Sequence, residues 1–141
     1  MRIFGHPVHL MLVHFPVALW PAHALLHLLA SRLPAGVSAV AGFWLLSGGV
    51  ALGWLAALAG ASDLLTLWRT GDRSRLNSGI LHGAINGSVL MGFTGLLALE
   101  FPSYPEIAHG GGFLALEIGL LVAMAVGNYF GAAVIWGDRR D

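Results

Sequence analysis

The chain of 141 residues contains no cysteine. This absence excludes disulfide bonds, thiolate-bound metals, iron–sulfur clusters and haem attached through thioether bonds. Histidine, carboxylate and asparagine side chains are left as possible ligands for a metal ion or for the iron of a cofactor.

Charged residues are also scarce. They make up 10% of the chain, whereas 57% of the residues are hydrophobic. A soluble globular domain carries about 25% charged residues, so the deficit indicates a protein embedded in a lipid bilayer. The seven basic and seven acidic residues give a formal net charge of zero. Nucleic acid is therefore not an expected partner, because it selects a basic surface.

Four apolar segments are each long enough to cross the hydrocarbon core of a bilayer. They lie at about 8–30, 37–68, 78–100 and 112–136. Because the linkers are short, consecutive helices are expected to be antiparallel neighbours. The sequence predicts an all-α integral membrane protein, a single domain of four transmembrane helices over 1–141. The first span is not expected to be a signal peptide, since prolines and histidines interrupt it and three further spans follow.

Arginine is distributed unevenly between the two ends of the predicted bundle. Only Arg32 lies on one side, and six arginines lie on the other: Arg2, Arg69, Arg73, Arg75, Arg139 and Arg140. Positively charged loops stay on the cytoplasmic side, so both termini are expected to be cytoplasmic. Four tryptophans lie toward span ends, as in an interfacial aromatic belt: Trp20, Trp44, Trp68 and Trp136.

Histidines are concentrated at the start of the chain. Five of the seven lie within the first 27 residues: His6, His9, His14, His23 and His27. Imidazole is costly in lipid, so such residues usually face a partner, a cavity or a metal. If the first and third helices run in the same direction, His9 and His14 lie at the depth of His82. Asp63 and Asn86 fall at a similar depth and could converge with them.

A second group of titratable residues is expected near the opposite end of the bundle. His23 and His27 share one face of the first helix, and His109 lies where the fourth helix begins. Three glutamates are close to them in depth: Glu100, Glu106 and Glu117. The histidines therefore form two layers at different depths.

Glycines recur at four-residue spacing on the last two helices. Gly79, Gly83 and Gly87 are on the third, and Gly127 and Gly131 are on the fourth. Small residues at this spacing let helix backbones approach closely. The same pattern would also suit a flat cofactor lying against a groove of glycines.

Several chemistries fit the layer around His82. Haem b needs axial histidines from facing helices, with His82 as one ligand and His9 or His14 as the other. The remaining candidate residues for cofactor binding are Asn86, Gly83 and Gly87.

Two alternatives remain open. A non-haem metal ion would use three or four ligands from one set: His6, His9, Asp63 and His82. The protein could instead be an accessory subunit of a larger membrane complex, without a cofactor of its own. No nucleophile–base pair and no phosphate-binding loop are visible, so an electron carrier or subunit is expected rather than an enzyme.

Four sequence segments resemble the DUF2231 family of bacterial four-helix membrane proteins. They are GHPVHLMLVHFP, AGASD, RLNSGILHGAIN and the closing NYFGAAVIWG. The resemblance covers nearly the whole chain and marks His6, His9, Pro16, Asp63, His82 and Asn86, with His14 matching one branch of the family. Leu10 departs from the family pattern, which usually has proline there.

The resemblance also implies a location and a setting. A member of this family is expected in the bacterial inner membrane. Some members are fused to Rieske iron–sulfur domains, which implies a redox environment. The partners expected here are other subunits of a membrane redox or photosynthetic complex, or further copies of this chain.

Overall fold

Four long α-helices dominate the fold. The computed structural model describes residues 2–3, 6–103 and 111–136. The helices are α1 (Val8–Leu29), α2 (Ala35–Thr70), α3 (Arg73–Glu100) and α4 (Gly111–Trp136). Each is long and apolar enough to cross a membrane, which confirms the predicted all-helical protein with four membrane-length helices. Before them, β1 (Arg2–Ile3) pairs antiparallel with β2 (His6–Pro7).

The turn between α2 and α3 is shorter than the sequence suggested. Gly71 ends α2 in the left-handed region with φ of 75°, a conformation that glycine adopts without strain. The side chain of Asp72 then accepts a hydrogen bond from the backbone N–H of Arg75 at 3.1 Å and caps α3. As a result α2 continues beyond residue 68, and α3 begins at Arg73 rather than at residue 78. Hydropathy alone could not find these polar helical turns.

Consecutive helices contact each other in reversed order. His9, early in α1, lies against Gly60 of α2, whereas Leu19 lies against Gly48. The same reversal joins α2 to α3 and α3 to α4, through Leu90 with Gly53, Leu64 with Gly79, His82 with Gly131, and Leu120 with Gly92. The contact between α1 and α4 is smaller.

The apolar core is centred on Trp20 and Phe93, whose rings stack with centroids 4.2 Å apart. Six further buried side chains surround this stack: Leu46, Val50, Val89, Leu90, Leu96 and Met124. Trp20 is only 3% exposed, so its predicted place in an interfacial belt was wrong. It lies in the middle of α1, where a flat ring fills the space between helices. Trp44 and Trp68 are largely exposed on the outside of the bundle.

Candidate functional site

His9 and His82 meet across the bundle. Their ring centroids are 5.9 Å apart, and the two ring planes are nearly perpendicular at 86°. His9 comes from the start of α1 and His82 from the first half of α3, and both are half-buried. Together with Asn86 they are called the His9–His82 layer below.

Each ring is held by a backbone carbonyl of a neighbouring helix. His9 Nδ1 donates to the carbonyl oxygen of Ala56 at 2.8 Å, and His82 Nδ1 donates to that of Gly127 at 2.8 Å. A carbonyl oxygen only accepts, so the ring proton is on Nδ1 and the lone pair is on Nε2. This is the arrangement by which proteins orient a histidine that binds a metal through Nε2.

Asn86 braces His82 from the next turn of α3. Its side-chain nitrogen donates to the backbone carbonyl of His82 at 3.3 Å and lies 3.1 Å from His82 Nδ1. Residues four apart lie on one face of a helix, which brings the two side chains together. Asn86 therefore packs against the His82 ring from the same face of α3.

Three glycines make room for these polar side chains. A Cβ at Gly60 would lie 2.9 Å from the His9 ring, and one at Gly131 would lie 2.6 Å from His82 Nδ1. Gly127 faces Asn86 in the same close manner. The four-residue glycine spacing on α4 thus serves helix packing, and the side chains it accommodates belong to the His9–His82 layer.

Gly83 and Gly87 of α3, unlike the three glycines above, have open space beside them. A Cβ at either position would meet nothing within 4 Å, and Gly83 is exposed. At about 100° per residue, both glycines lie about 100–140° around α3 from His82. Thr94 lies on that same side and accepts a hydrogen bond from Trp54 of α2. This side of α3 is therefore open locally at Gly83 and Gly87, although α2 contacts α3 before and after them through Leu64 and Leu90.

The other candidates in this half of the bundle lie outside the pair. His14 is exposed, and its Nδ1 donates to the carbonyl of Leu10 in its own helix. Asp63 is half-buried on α2. His6 lies in β2, but its side chain is outside the described residues. Within the described part of the chain, no three or more His, Asp or Glu residues form a group that could hold a metal ion.

A second polar group lies deeper in the helix packing. It comprises His23 and His27 of α1, Glu100 of α3 and Glu117 of α4, and is called the His23–Glu117 cluster. His23 Nε2 is 3.3 Å from Glu100 Oε1, and His23 Nδ1 is 2.9 Å from Glu117 Oε1. His27 Nδ1 donates to Glu117 Oε2 at 3.1 Å. The exposed fraction of the side chain is 0% for Glu117 and 2% for His23.

The sequence placed these four residues at one depth but did not single them out as a site. Two sequence features could have indicated this site. His23 and His27 are spaced at i and i+4, and glutamate is scarce in the spans. His109 and Glu106, predicted in the same layer, lie outside the described residues. The His23–Glu117 cluster is more completely buried than the His9–His82 layer.

The two polar groups are far apart along the bundle. His9 and His23 are separated by about 21 Å along α1, at a rise of 1.5 Å per residue. The stacked rings of Trp20 and Phe93 lie between them in sequence order on α1 and α3. The molecule thus has two separate polar sites rather than one continuous polar channel.

Four membrane-length helices that enclose buried histidines and glutamates define a multi-pass membrane protein. A family model described as "Predicted membrane protein (DUF2231)" matches residues 5–140, and the chain belongs to this family. The family resemblance read from the sequence is therefore confirmed. A search of the curated proteins and a search of the solved structures found no match.

Proposed function

We propose that this protein binds haem b between α1 and α3 through His9 and His82, and that it transfers electrons as a subunit in the bacterial inner membrane. The observation that carries the proposal is the pairing of the two rings, each with Nδ1 donating to a backbone carbonyl. This leaves Nε2 of each ring as the ligand atom.

The distance between the rings fits two axial ligands of one iron. With metal–nitrogen bonds of about 2 Å, two imidazoles on opposite sides of an iron have centroids roughly 6 Å apart. The observed separation is 5.9 Å. Perpendicular ring planes are compatible with this ligation, because each ring can take any rotation about its own bond to the metal.

The open face at Gly83 and Gly87 supports a planar ligand. A macrocycle needs small residues beside its axial histidine, and these two glycines lie next to His82 with no side chain over them. Haem bound there would supply a one-electron couple. The chain's own residues position the ligand nitrogens, since the backbone carbonyls of Ala56 and Gly127 hold the rings of His9 and His82.

The described ligand set favours haem over a bare metal ion. A non-haem metal site needs three or four protein ligands. In haem the porphyrin supplies four nitrogen ligands to the iron, so the protein needs to supply only two. Within the described residues only two histidines converge in this half of the bundle, and no group of three suitable side chains forms.

We also propose that consecutive helices are antiparallel and that both termini are cytoplasmic. The reversed order of helix contacts supports the first statement. The excess of arginine at one end of the bundle supports the second.

An optical spectrum tests the haem proposal directly. The protein is purified from cells supplied with a haem precursor, and spectra are recorded as isolated and after reduction with dithionite. A Soret band, with a sharp alpha band after reduction, is the expected result for low-spin iron with two histidine ligands. If no Soret band appears, and none appears after haemin is added, the proposal is wrong. Elemental analysis that finds stoichiometric zinc, copper or iron without porphyrin would contradict it in favour of a non-haem metal.

A further inference from the structure

We propose that the His23–Glu117 cluster is a proton-binding site that exchanges its proton with one membrane surface through His27. This site is separate from the His9–His82 layer and does not depend on haem binding. Its ligand is the proton, held between the carboxylates of two helices and the imidazoles of a third.

The four side chains form an ordered series of neighbouring groups. Starting from His27, the nitrogen–oxygen distances are 3.1 Å to Glu117, then 2.9 Å from Glu117 to His23, and 3.3 Å from His23 to Glu100. At such separations an added proton can be shared between neighbouring heavy atoms. The exposed fraction of the side chain is 11% for His27, 5% for Glu100, 2% for His23 and 0% for Glu117, so His27 is the most exposed member.

Charge balance makes the proton content of this cluster variable. Two carboxylates buried in apolar surroundings need two positive charges, or else protons of their own. The cluster is neutral only when both imidazoles are protonated or when protons are shared with the carboxylates. Groups this close exchange protons as one unit, and each protonation depends on the charge of the others.

Among the residues that the structure describes, the charged groups of the cluster come from three helices. Its members are His23 and His27 on α1, Glu100 on α3 and Glu117 on α4. The titratable residues of α2, Asp63 and Arg69, lie in the second half of that helix, toward the turn at Gly71. Arg32, at the end of the turn after α1, is exposed.

Two buried atoms in the cluster lack an ordinary hydrogen bond. His23 Nδ1 and Glu117 Oε1 contact each other at 2.9 Å, but neither makes a hydrogen bond of good geometry. Buried polar atoms in native proteins are nearly always satisfied, and an exception calls for a functional explanation. Here the two atoms are a basic nitrogen and a carboxylate oxygen that a single additional proton would join.

Proton exchange is confined to the His27 side. A proton taken up by the His27 ring allows Nδ1 to pass its own proton to Glu117 Oε2, and release follows the reverse order. In the other direction, the stacked rings of Trp20 and Phe93 and the buried core around them offer no titratable group. The cluster therefore stores a proton without conducting it across the bilayer.

The small number of glutamates permits a direct test. The chain contains three: Glu100, Glu106 and Glu117. Protein carrying ¹³C-glutamate and ¹⁵N-histidine is placed in lipid nanodiscs, and infrared and NMR spectra are recorded from about pH 4 to about pH 10, which covers perturbed carboxyl and imidazole groups. We expect a carboxyl band and the His23 nitrogen signals to titrate together with one midpoint. Spectra of the wild-type protein that show no change over this range would overturn the proposal.

Substitution at Glu117 separates the cluster from other groups. Glu117→Gln removes the shared proton acceptor, so the joint titration should be lost, whereas the control Asp72→Asn, at an exposed carboxyl group before α3, should retain it. If His23 titrates in Glu117→Gln as it does in wild type, the proposal is wrong. One-sided exchange is tested separately in proteoliposomes with a potassium diffusion potential. We expect a proton flux no higher than in empty liposomes. A larger flux would refute the proposal that proton exchange is confined to one membrane surface.

Discussion

Trp20 stacks on Phe93 with an interplanar angle of 11°, and this pair fills the centre of the bundle between α1 and α3. On one side of it along α1 lies His9, and on the other lies His23. The aromatic stack thus keeps the two polar sites apart in low-dielectric surroundings. Each site can be altered without direct contact with the other, and the first and third predictions below use this separation.

Haem binding should depend on His82 and His9 but not on His14. His82→Ala or His9→Ala removes an axial ligand, so affinity for haem is expected to fall by at least about tenfold. His14→Ala is the matched control, because His14 is exposed and bonds only to its own helix. Titration of each purified variant with haemin, followed at the Soret band, measures the effect. Equal losses in His14→Ala and His82→Ala would contradict the assignment.

Filling the space at Gly131 should destabilise the bundle, and filling the space at Gly83 should not. A Cβ at 131 meets His82 Nδ1, so Gly131→Ala is expected to lower the free energy of unfolding by about 1–3 kcal/mol. Gly83→Ala meets no atom within 4 Å and raises helix propensity, so its effect should be near zero or slightly stabilising. Unfolding in detergent, followed by circular dichroism, compares the two. A Gly83→Ala protein as unstable as Gly131→Ala would argue against the packing described for α4.

Removing Glu117 should be strongly destabilising. Glu117→Ala leaves His23 and His27 buried without their shared carboxylate, and losing one partner of a buried charged group costs about 3–5 kcal/mol. Arg75→Ala is a suitable control, because it breaks an ion pair with Asp72 whose partners are both nearly half exposed. That change should cost less than about 1 kcal/mol. Unfolding in detergent, followed by circular dichroism, compares the two variants. Equal losses of unfolding free energy would disprove the structural role of the cluster.

The absence of cysteine makes topology simple to measure. A single cysteine at Ser74, just inside α3, should react with a membrane-impermeant thiol reagent only from the cytoplasmic side. A cysteine at Ser31, after α1, should react only from the opposite side. Both positions are exposed, so the introduced thiols are accessible. The two positions flank α2, so labelling of both from the same side would contradict the proposed antiparallel arrangement.

Much of the fold could be predicted because lipid imposes simple rules on sequence. Long apolar runs predicted the four helices, and the contact between the His9 and His82 rings agrees with the common depth expected for them. The rotation of each helix about its own axis could not be predicted in the same way. This rotation determines that His9 faces His82 while His14 faces outward, and that Gly131 lies against a side chain while Gly83 does not. Two prolines inside α1, Pro16 and Pro21, add to this uncertainty of rotation.

The contacts of the His23–Glu117 cluster also depend on tertiary packing. The similar depth of His23 and Glu117 could be predicted from their positions in the spans, but their contact requires α1 and α4 to approach each other at that level. Trp20 was misplaced for a related reason. Its position along the chain was compatible with an interface, and only the three-dimensional packing shows that its ring fills the core.

The length of α2 has a consequence for the shape of the protein in a membrane. Its 36 residues extend about 54 Å, whereas the hydrocarbon core of a bilayer is about 30 Å thick. Even at a tilt of about 40°, the largest that is common for transmembrane helices, α2 would remain longer than the hydrocarbon core is thick. Arg69 and Arg73 flank the turn at Gly71, and lipid excludes such charges, so the excess length is expected to extend into the aqueous phase at this end.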